Sequence, residues 1–191
     1  LCLRKTSHPE VVIREIDILF PVGGDGRALE LALEKIFTKA EQYIADGATL
    51  LVLTDRNMNE QNVPIPALLA ASGLHHHLIR KGLRTLTGII LETGEAREVI
   101  HFAQLIGYGA SAICPHVAFS TIRELAEEGL LEGDIAPEIA MDNYITAVKK
   151  GLLKTFSRMG ISTIRSFFGA QIFEAVGLSR ALVDKYFAGT A

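Results

Sequence analysis

Apolar residues along this chain fall into two kinds of run that alternate. Residues 49–54 and 85–91 are short apolar runs of the kind found in strands that are covered on both faces. Between them, from about Pro66 to Lys81, apolar positions recur at helical spacing, and Gly82 is placed to end that helix. Each apolar run leads into a polar loop. Because strands that alternate with helices build a parallel sheet, the pattern predicts an α/β fold.

The same pattern extends toward both ends of the chain. Residues 11–20 are predicted to form a first extended segment, and residues 28–46 a helix that Gly47 ends. Thr93 is predicted to cap the next helix, which ends near residues 107–109. The remaining predicted elements are a short strand over residues 111–114 and helices over residues 118–128 and 137–150.

Two architectures fit this alternation, and the periodicity does not separate them. One is an open doubly wound sheet, and the other is part of a (β/α) barrel. A change in composition near Gly133 and Asp134, just before Pro137, predicts a domain boundary. We therefore expect an α/β domain over residues 1–133, and a connecting helix with the start of a second domain over residues 134–191.

Composition narrows the class of protein. Hydrophobic residues make up 49% and charged residues 21% of the chain, as in globular proteins and unlike disordered ones. The net charge is −3 and the basic residues are scattered, which argues against a nucleic-acid partner. No apolar run approaches the ~20 residues that span a bilayer, so we expect a cytoplasmic protein, or a stromal one in a photosynthetic eukaryote. Cys2 and Cys114 are too few for a disulfide framework.

Charged and hydroxyl side chains follow two of the predicted strands. Asp55 and Arg56 come after one strand, and Glu92, Thr93 and Glu95 come after the next. Ligands of parallel α/β folds bind at the carboxyl ends of the strands, so Arg56 is a candidate for holding a carboxylate or phosphate. The alternative, which the pattern favours, is structural. In that case Asp55 and Arg56 tie down their own loop, while other side chains of this set cap a helix.

Three consecutive histidines, residues 75–77, raise the question of a metal site. Metal ligands on a helix usually stand four residues apart, whereas adjacent side chains point about 100° away from each other. His101 and His116 are further candidate ligands, but no carboxylate or cysteine pattern organises them. We therefore expect packing and hydrogen bonding for these side chains, and no metal site.

A glycine followed by small hydroxyl residues marks the region after residue 158. Gly160 precedes Ser162 and Thr163, and such a stretch lets the backbone approach a flat ring system closely. The alternative is that Gly160 merely ends a helix over residues 152–158. The residues by themselves favour the helix end.

Two parts of the chain resemble the glutamate synthase family. Residues 49–115 are similar to the central region of its large subunit, and residues 150–178, KGLLKTFSRMGISTIRSFFGAQIFEAVGL, to the start of its FMN domain. The resemblance implies a partial, TIM-barrel-like arrangement of parallel βαβ units. One departure is Phe167, where the family pattern leads us to expect a tyrosine. The resemblance also implies FMN contacts from Met159, Gly160, Ile161, Ser162, Thr163 and, more weakly, Gln171.

The resemblance further implies a place in a larger enzyme. Glutamate synthases make two glutamates from glutamine, 2-oxoglutarate and a reductant, using FMN and an iron–sulfur cluster. The chain is then expected to be a fragment or split subunit whose central domain links the amidotransferase and FMN sites and helps to wall the ammonia tunnel. We expect no catalytic residue in it, an incomplete FMN site, and no iron–sulfur ligands. Expected partners are the remaining domains or subunits of the enzyme, or further copies of the chain. The alternative is a freestanding, non-catalytic α/β module for binding or assembly.

Overall fold

The structure, a computed structural model, describes residue 8, residues 10–170 and residues 172–191. Four strands form a parallel sheet in the order β1-β3-β5-β6, and β2 pairs with β4 in a separate antiparallel ribbon. The strands, in chain order, are β1 (Ile13–Asp17), β2 (Leu19–Pro21), β3 (Leu50–Thr54), β4 (Asn62–Pro64), β5 (Gly88–Glu92) and β6 (Ala112–Cys114).

Helices connect these strands and fill the second half of the chain. A short 3₁₀ turn, Arg84–Leu86, precedes β5. The helices, in chain order, are α1 (Gly26–Ala45), α2 (Ala67–Arg80), α3 (Val99–Gly107), α4 (His116–Glu127), α5 (Pro137–Arg158), α6 (Ile164–Phe167) and α7 (Arg180–Tyr186).

The strand order of the parallel sheet follows the order of the chain. In register, Ile16 stands beside Leu53, and Leu53 beside Leu91. A doubly wound sheet reverses its strand order at a switch point, and this sheet does not. Helices α1, α2 and α3 pack against one another in the same succession, as in a section of a (β/α) barrel. The prediction of an α/β fold built from parallel βαβ units is therefore confirmed.

The first extended segment is divided between two sheets. Ile18 lies between β1 and β2 and is completely buried. Its amide donates to the carbonyl of Thr54 at 2.9 Å, and its carbonyl accepts from the amide of Ile65 at 2.8 Å. These two bonds hold the chain where it leaves the parallel sheet and pairs with β4, a strand that the sequence pattern did not predict.

The core lies between the sheet and the three connecting helices. On β3 and β5, Leu51, Leu53, Ile89 and Leu91 are completely buried in one cluster with the apolar faces of α1 and α2. Burial of such a side chain stabilises the fold by about 1.5–3 kcal/mol relative to exposure. The periodicity of the sequence predicts this cluster because strand and helix both place their apolar positions on one side.

Helix α5 is longer than predicted and crosses α3 closely. It continues past Lys150 to Arg158 and so includes Gly151. A Cβ atom at Gly151 would lie 2.4 Å from a methyl carbon of Val99, so no larger residue fits at this contact. Glycine in a helix interior costs about 1 kcal/mol relative to alanine, and the close approach of the two helices offsets that cost here.

Residues after α6 return to the first helices. The hydroxyl of Ser72 on α2 donates to the carbonyl of Tyr186 at 2.5 Å, and Lys185 donates to Glu30 on α1 at 2.6 Å. Tyr186 and Phe187 are more than nine-tenths buried in the main core. The domain boundary expected near Gly133 stays a prediction.

The resemblance to the start of an FMN domain also implies the first strand of a barrel at residues 159–163, but this region is helical and irregular. Among the residues described after Met159, the secondary structure consists of α6 and α7, with no strand. A parallel strand needs a hydrogen-bonded neighbour, and β6 is the last strand of the sheet that the described residues build. The expectation of a barrel strand at this position is thus not met among the described residues.

Substituting Gly109 with alanine is expected to destabilise the fold strongly. Gly109 has φ +105°, and a Cβ there would lie 2.3 Å from Nδ1 of His75. Moving the His75 ring away would break the hydrogen bond that Arg84 donates to the same nitrogen at 2.9 Å. Strained backbone and overpacking together predict a loss of about 3 kcal/mol or more in the free energy of unfolding, measured by urea denaturation.

Gly47→Ala provides the matched control for this experiment. Gly47 also has positive φ (+85°), but nothing lies within 4 Å of the position its Cβ would take. Its substitution should cost only the backbone strain, about 1 kcal/mol. Equal losses in the two variants would show that the contact between Gly109 and His75 is not tight.

Candidate functional site

The carboxyl edge of the sheet holds a buried group of polar side chains centred on Asp55. One carboxylate oxygen, Oδ1, lies 2.6 Å from Nε2 of His116. The other, Oδ2, accepts from the hydroxyl of Thr93 at 2.7 Å and from the amide of Gly94 at 2.9 Å. Asp55 is only 3% exposed. The carboxylate thus joins the residues that follow β3, β5 and β6.

A second buried carboxylate, that of Glu92, lies at the end of β5. One of its oxygens accepts from the hydroxyl of Thr54 at 2.8 Å, and the other forms an ion pair with Nε of Arg56 at 2.7 Å. This pairing raises the pKa of the Arg56 guanidinium. Beside it, burial raises the pKa of the Cys114 thiol. The charge of Arg56 is therefore already matched by a carboxylate of the same edge.

The capping roles at this edge differ from the predicted ones. Thr93 does not cap α3, because that helix begins six residues later and the Thr93 hydroxyl donates to Asp55. Nδ1 of His101 accepts from the amides of Arg97 and Glu98, both at 3.2 Å, and so caps α3 itself. Glu95 does cap a helix, as predicted, but the helix is α2, through the amide of Ala67 at 2.9 Å.

The pairing of Asp55 with His116 is the feature that sequence reasoning missed. His116 was considered only as a metal ligand, although it directly follows Pro115 at the end of β6. The available signal was position, because the carboxyl ends of neighbouring parallel strands lie at one edge of the sheet. Chemically, the edge holds its buried charges through internal hydrogen bonds and ion pairs, which favours the structural interpretation of Asp55 and Arg56.

The three consecutive histidines of α2 differ in their contacts. Nδ1 of His75 accepts from Arg84 at 2.9 Å. The ring of His76 meets that of His75 edge-on at 5.1 Å between centroids. His77 lies 2.6 Å from a carboxylate oxygen of Glu41 and stacks on Phe37 at 4.7 Å. The rings diverge as adjacent helix positions require, and their contacts are packing and hydrogen bonds.

Residues 159–163, the predicted FMN contacts, form the end of α5 and the loop after it. Met159 is the C-cap, and Gly160 follows with φ +70°. The amide of Ile161 donates back to the carbonyl of Phe156 at 2.9 Å, which completes a Schellman-type helix end. Ser162 and Thr163 are exposed, and the Thr163 hydroxyl accepts from the amide of Ser166 to cap α6.

Two other predicted positions complete this region. Gln171 lies outside the described residues. Phe167, the departure from the family pattern, is completely buried. Its ring lies 4.2 Å from that of Phe156 and 6.3 Å from that of Phe173, measured between centroids. A phenylalanine suits this apolar position because a buried tyrosine hydroxyl would need a hydrogen-bond partner.

Comparison with known proteins identifies the family. The model of the glutamate synthase central domain matches residues 2–179. The chain belongs to the glutamate synthase family.

Glutamate synthases from several organisms align with nearly the whole chain. It is 52% identical to the NADPH glutamate synthase large chain of Bacillus subtilis, over 99% of this chain and 12% of the relative. The NADH glutamate synthase of Schizosaccharomyces pombe is 38% identical over 96% of this chain and 9% of its own. The ferredoxin-dependent glutamate synthase 2 of Synechocystis is 42% identical over 98% of this chain and 13% of its own.

The chain thus spans about a tenth of the length of these glutamate synthases. It corresponds to their central domain, and the matched region runs past residue 133, where a boundary was expected. Among the described residues, no helix is long and apolar enough to cross a membrane.

Lowering the pH from 6.5 to about 4 is expected to destabilise the chain through His75. Burial, together with the nearby charge of Arg84, lowers the pKa of His75 from 6.5 to about 4. Between these values the unfolded chain binds a proton at this ring and the folded chain does not. The contribution to stability is therefore complete above pH 6.5 and is lost as the pH falls, by at most about 3 kcal/mol.

His75→Asn tests this dependence, because the Asn oxygen can still accept from Arg84 but does not titrate. Urea denaturation from pH 7 to pH 4 should show a smaller loss of stability in this variant than in the unsubstituted chain. His8→Asn serves as the control, since His8 is exposed. Parallel curves for the His75 variant and the unsubstituted chain would contradict the assignment.

Proposed function

We propose that this chain acts as the central domain of a glutamate synthase, where it links the amidotransferase and FMN parts and helps to wall the path of ammonia between them. The observation that carries the proposal is the match to the central-domain model over residues 2–179. The relatives are glutamate synthases named for NADPH, NADH or ferredoxin, and they supply the reaction class.

The carboxyl edge of the sheet supports a structural role in that enzyme. Asp55 and Glu92 are almost completely buried, and both carboxylates are engaged by side chains of the same edge. A buried and matched carboxylate is a poor general base, because its hydrogen-bond capacity is already used. It is well suited to keep a wall rigid, since displacing one partner leaves a charge buried without compensation.

Asp55→Asn in an intact glutamate synthase that carries this segment tests the walling role. Loss of the charge should loosen the residues after β3, β5 and β6, so that ammonia escapes before it reacts. We expect glutamine-dependent glutamate formation to fall at least about fivefold, a change of about 1 kcal/mol, while formation from saturating ammonium changes less than about twofold. Free ammonia released per glutamine hydrolysed is the direct measurement.

Asp17→Asn is the matched control, because Asp17 ends β1 at the same edge but is exposed, and its carboxylate accepts from the side-chain amide of Asn57 at 2.7 Å. It should leave both activities unchanged. A parallel fall of both activities in the Asp55 variant would indicate general loss of structure. Unchanged coupling with a folded variant would place this edge away from the path of ammonia.

The FMN contacts form the second part of the proposal. Met159, Ser162 and Thr163 are exposed, and nothing lies within 4 Å of the position a Cβ would take at Gly160. A flat ring can therefore approach the backbone here, and these residues fit one edge of a flavin site. Among the described residues, the segment is an open surface and not an enclosed cofactor site. FMN would supply the redox chemistry, and iron–sulfur ligands would come from other parts of the enzyme.

Gly160→Ala in the intact enzyme tests this contact against Gly82→Ala. Both glycines have φ +70° and open space at the Cβ position, so both substitutions should cost the 191-residue chain about 1 kcal/mol of stability. In the intact enzyme, only the methyl group at residue 160 would meet the flavin. We expect that variant to retain FMN about tenfold more weakly, measured by flavin absorbance after gel filtration. Equal FMN contents in the two variants would remove Gly160 from the site.

A further inference from the structure

A pocket of about 360 Å³ lies away from the carboxyl edge, between α2, the end of α3 and the returning residues 169, 172–173 and 188–190. Its volume is within the range of pockets that bind small molecules. The lining combines side chains of the first helices, such as His75 and Ile79, with Phe173 and Thr190 from the returning segment. The proposed function of the chain uses none of these residues.

One wall of this pocket carries a fixed hydrogen-bond donor. Nε of Arg84 can only donate, so Nδ1 of His75 must accept, and the proton of the neutral ring sits on Nε2. Within the described part of the chain, Nε2 donates to no protein atom, and His75 as a whole is only 9% exposed. Because Gly109 packs against the Cβ and Nδ1 side of the ring, the Nε2 side is the one left to line the pocket.

The remaining described lining combines an aromatic surface with two hydroxyl groups. Tyr108 and Phe173 stack at 5.9 Å between centroids with their planes 26° apart, which gives a continuous aromatic wall. The hydroxyls of Tyr108 and Thr190 lie 2.8 Å apart, so one of them keeps a proton to donate. Among the described residues that line the pocket, none is Asp or Glu.

A positive charge is held behind His75. Arg84 donates through Nη1 to the carbonyl of Thr87 at 2.7 Å and through Nη2 to that of Gly109 at 2.8 Å, so its guanidinium lies directly behind the ring of His75. Burial, together with the charge of Arg80, lowers the pKa of the neighbouring His76. Because the fixed positive charge of Arg84 lies behind the neutral His75 ring, a ligand that accepts from Nε2 is favoured when it carries negative charge.

We infer that this pocket binds a small planar carboxylate, with one oxygen accepting from Nε2 of His75 and the flat body lying against Tyr108 and Phe173. The site is separate from the carboxyl edge and from residues 159–163. It is formed by both the first helices and the returning segment, so its occupant would stabilise their association.

Benzoate is the probe, because it matches the pocket in size, planarity and charge. Titration into the 191-residue chain labelled with ¹⁵N-histidine should shift the Nε2 resonance of His75 and saturate with a Kd near or below about 1 mM. Benzyl alcohol, which has the same ring without the charge, should bind at least about tenfold more weakly. Binding of the alcohol as tightly as benzoate would overturn the carboxylate assignment.

Two variants separate this site from adventitious binding. His75→Asn keeps an acceptor for Arg84 but lacks the Nε2 proton, and it should weaken benzoate about tenfold, whereas His8→Asn should leave the Kd unchanged, with both affinities measured by isothermal titration calorimetry because the His75 resonance is absent from the first variant. Ala188→Leu places extra carbon atoms in the pocket and should abolish the shift of His75 without touching the Arg84 contact. Retained benzoate affinity in the Ala188 variant, or equal affinity in the two histidine variants, would overturn the proposal.

Discussion

The carboxylate of Asp55 is the interaction on which the carboxyl edge of this fold depends. It is buried, and it accepts from the residues that follow β5 and β6 while it is itself attached to the end of β3. Neighbouring parallel strands end side by side, so the loops that follow them start at the same edge of the sheet. Their positions relative to one another must be fixed there. A single charged acceptor does this for three loops, and an unmatched charge at that depth would cost several kcal/mol.

The residue types at this edge are ones that also occur in active sites, and in the structure they bond to one another. Arg56, Glu92 and Thr54 form a second closed group beside the first. Asp55, Arg56 and Glu92 each have a neighbour of the same edge as partner. Such an arrangement suits a domain that positions other parts of an enzyme, which is the role that the central domain of glutamate synthase is proposed to have here.

The returning residues make the second half of the chain part of the first core. Phe167 packs with Phe156, while Tyr186 and Phe187 are buried against the helices of the parallel sheet. The amide of Gly169 donates to the carbonyl of Gly107 at 2.8 Å and fastens the loop after α6 to the end of α3. The pocket beside His75 exists because the two segments meet there without filling the space between them.

Local pattern determined the parallel α/β class, the bounds of α1 and β3 to within about two residues, and the glycines that end the helices, because side-chain periodicity and glycine conformation act over a few residues. It also carried the resemblance to glutamate synthases. Tertiary structure decided that the Thr93 hydroxyl donates to Asp55 instead of capping α3, and that His116 pairs with Asp55. It also decided that an apparently continuous strand is divided at Ile18. Such partners lie tens of residues apart in the chain, and only the folded backbone brings their hydrogen-bonding atoms within 3 Å, so no local pattern reports them.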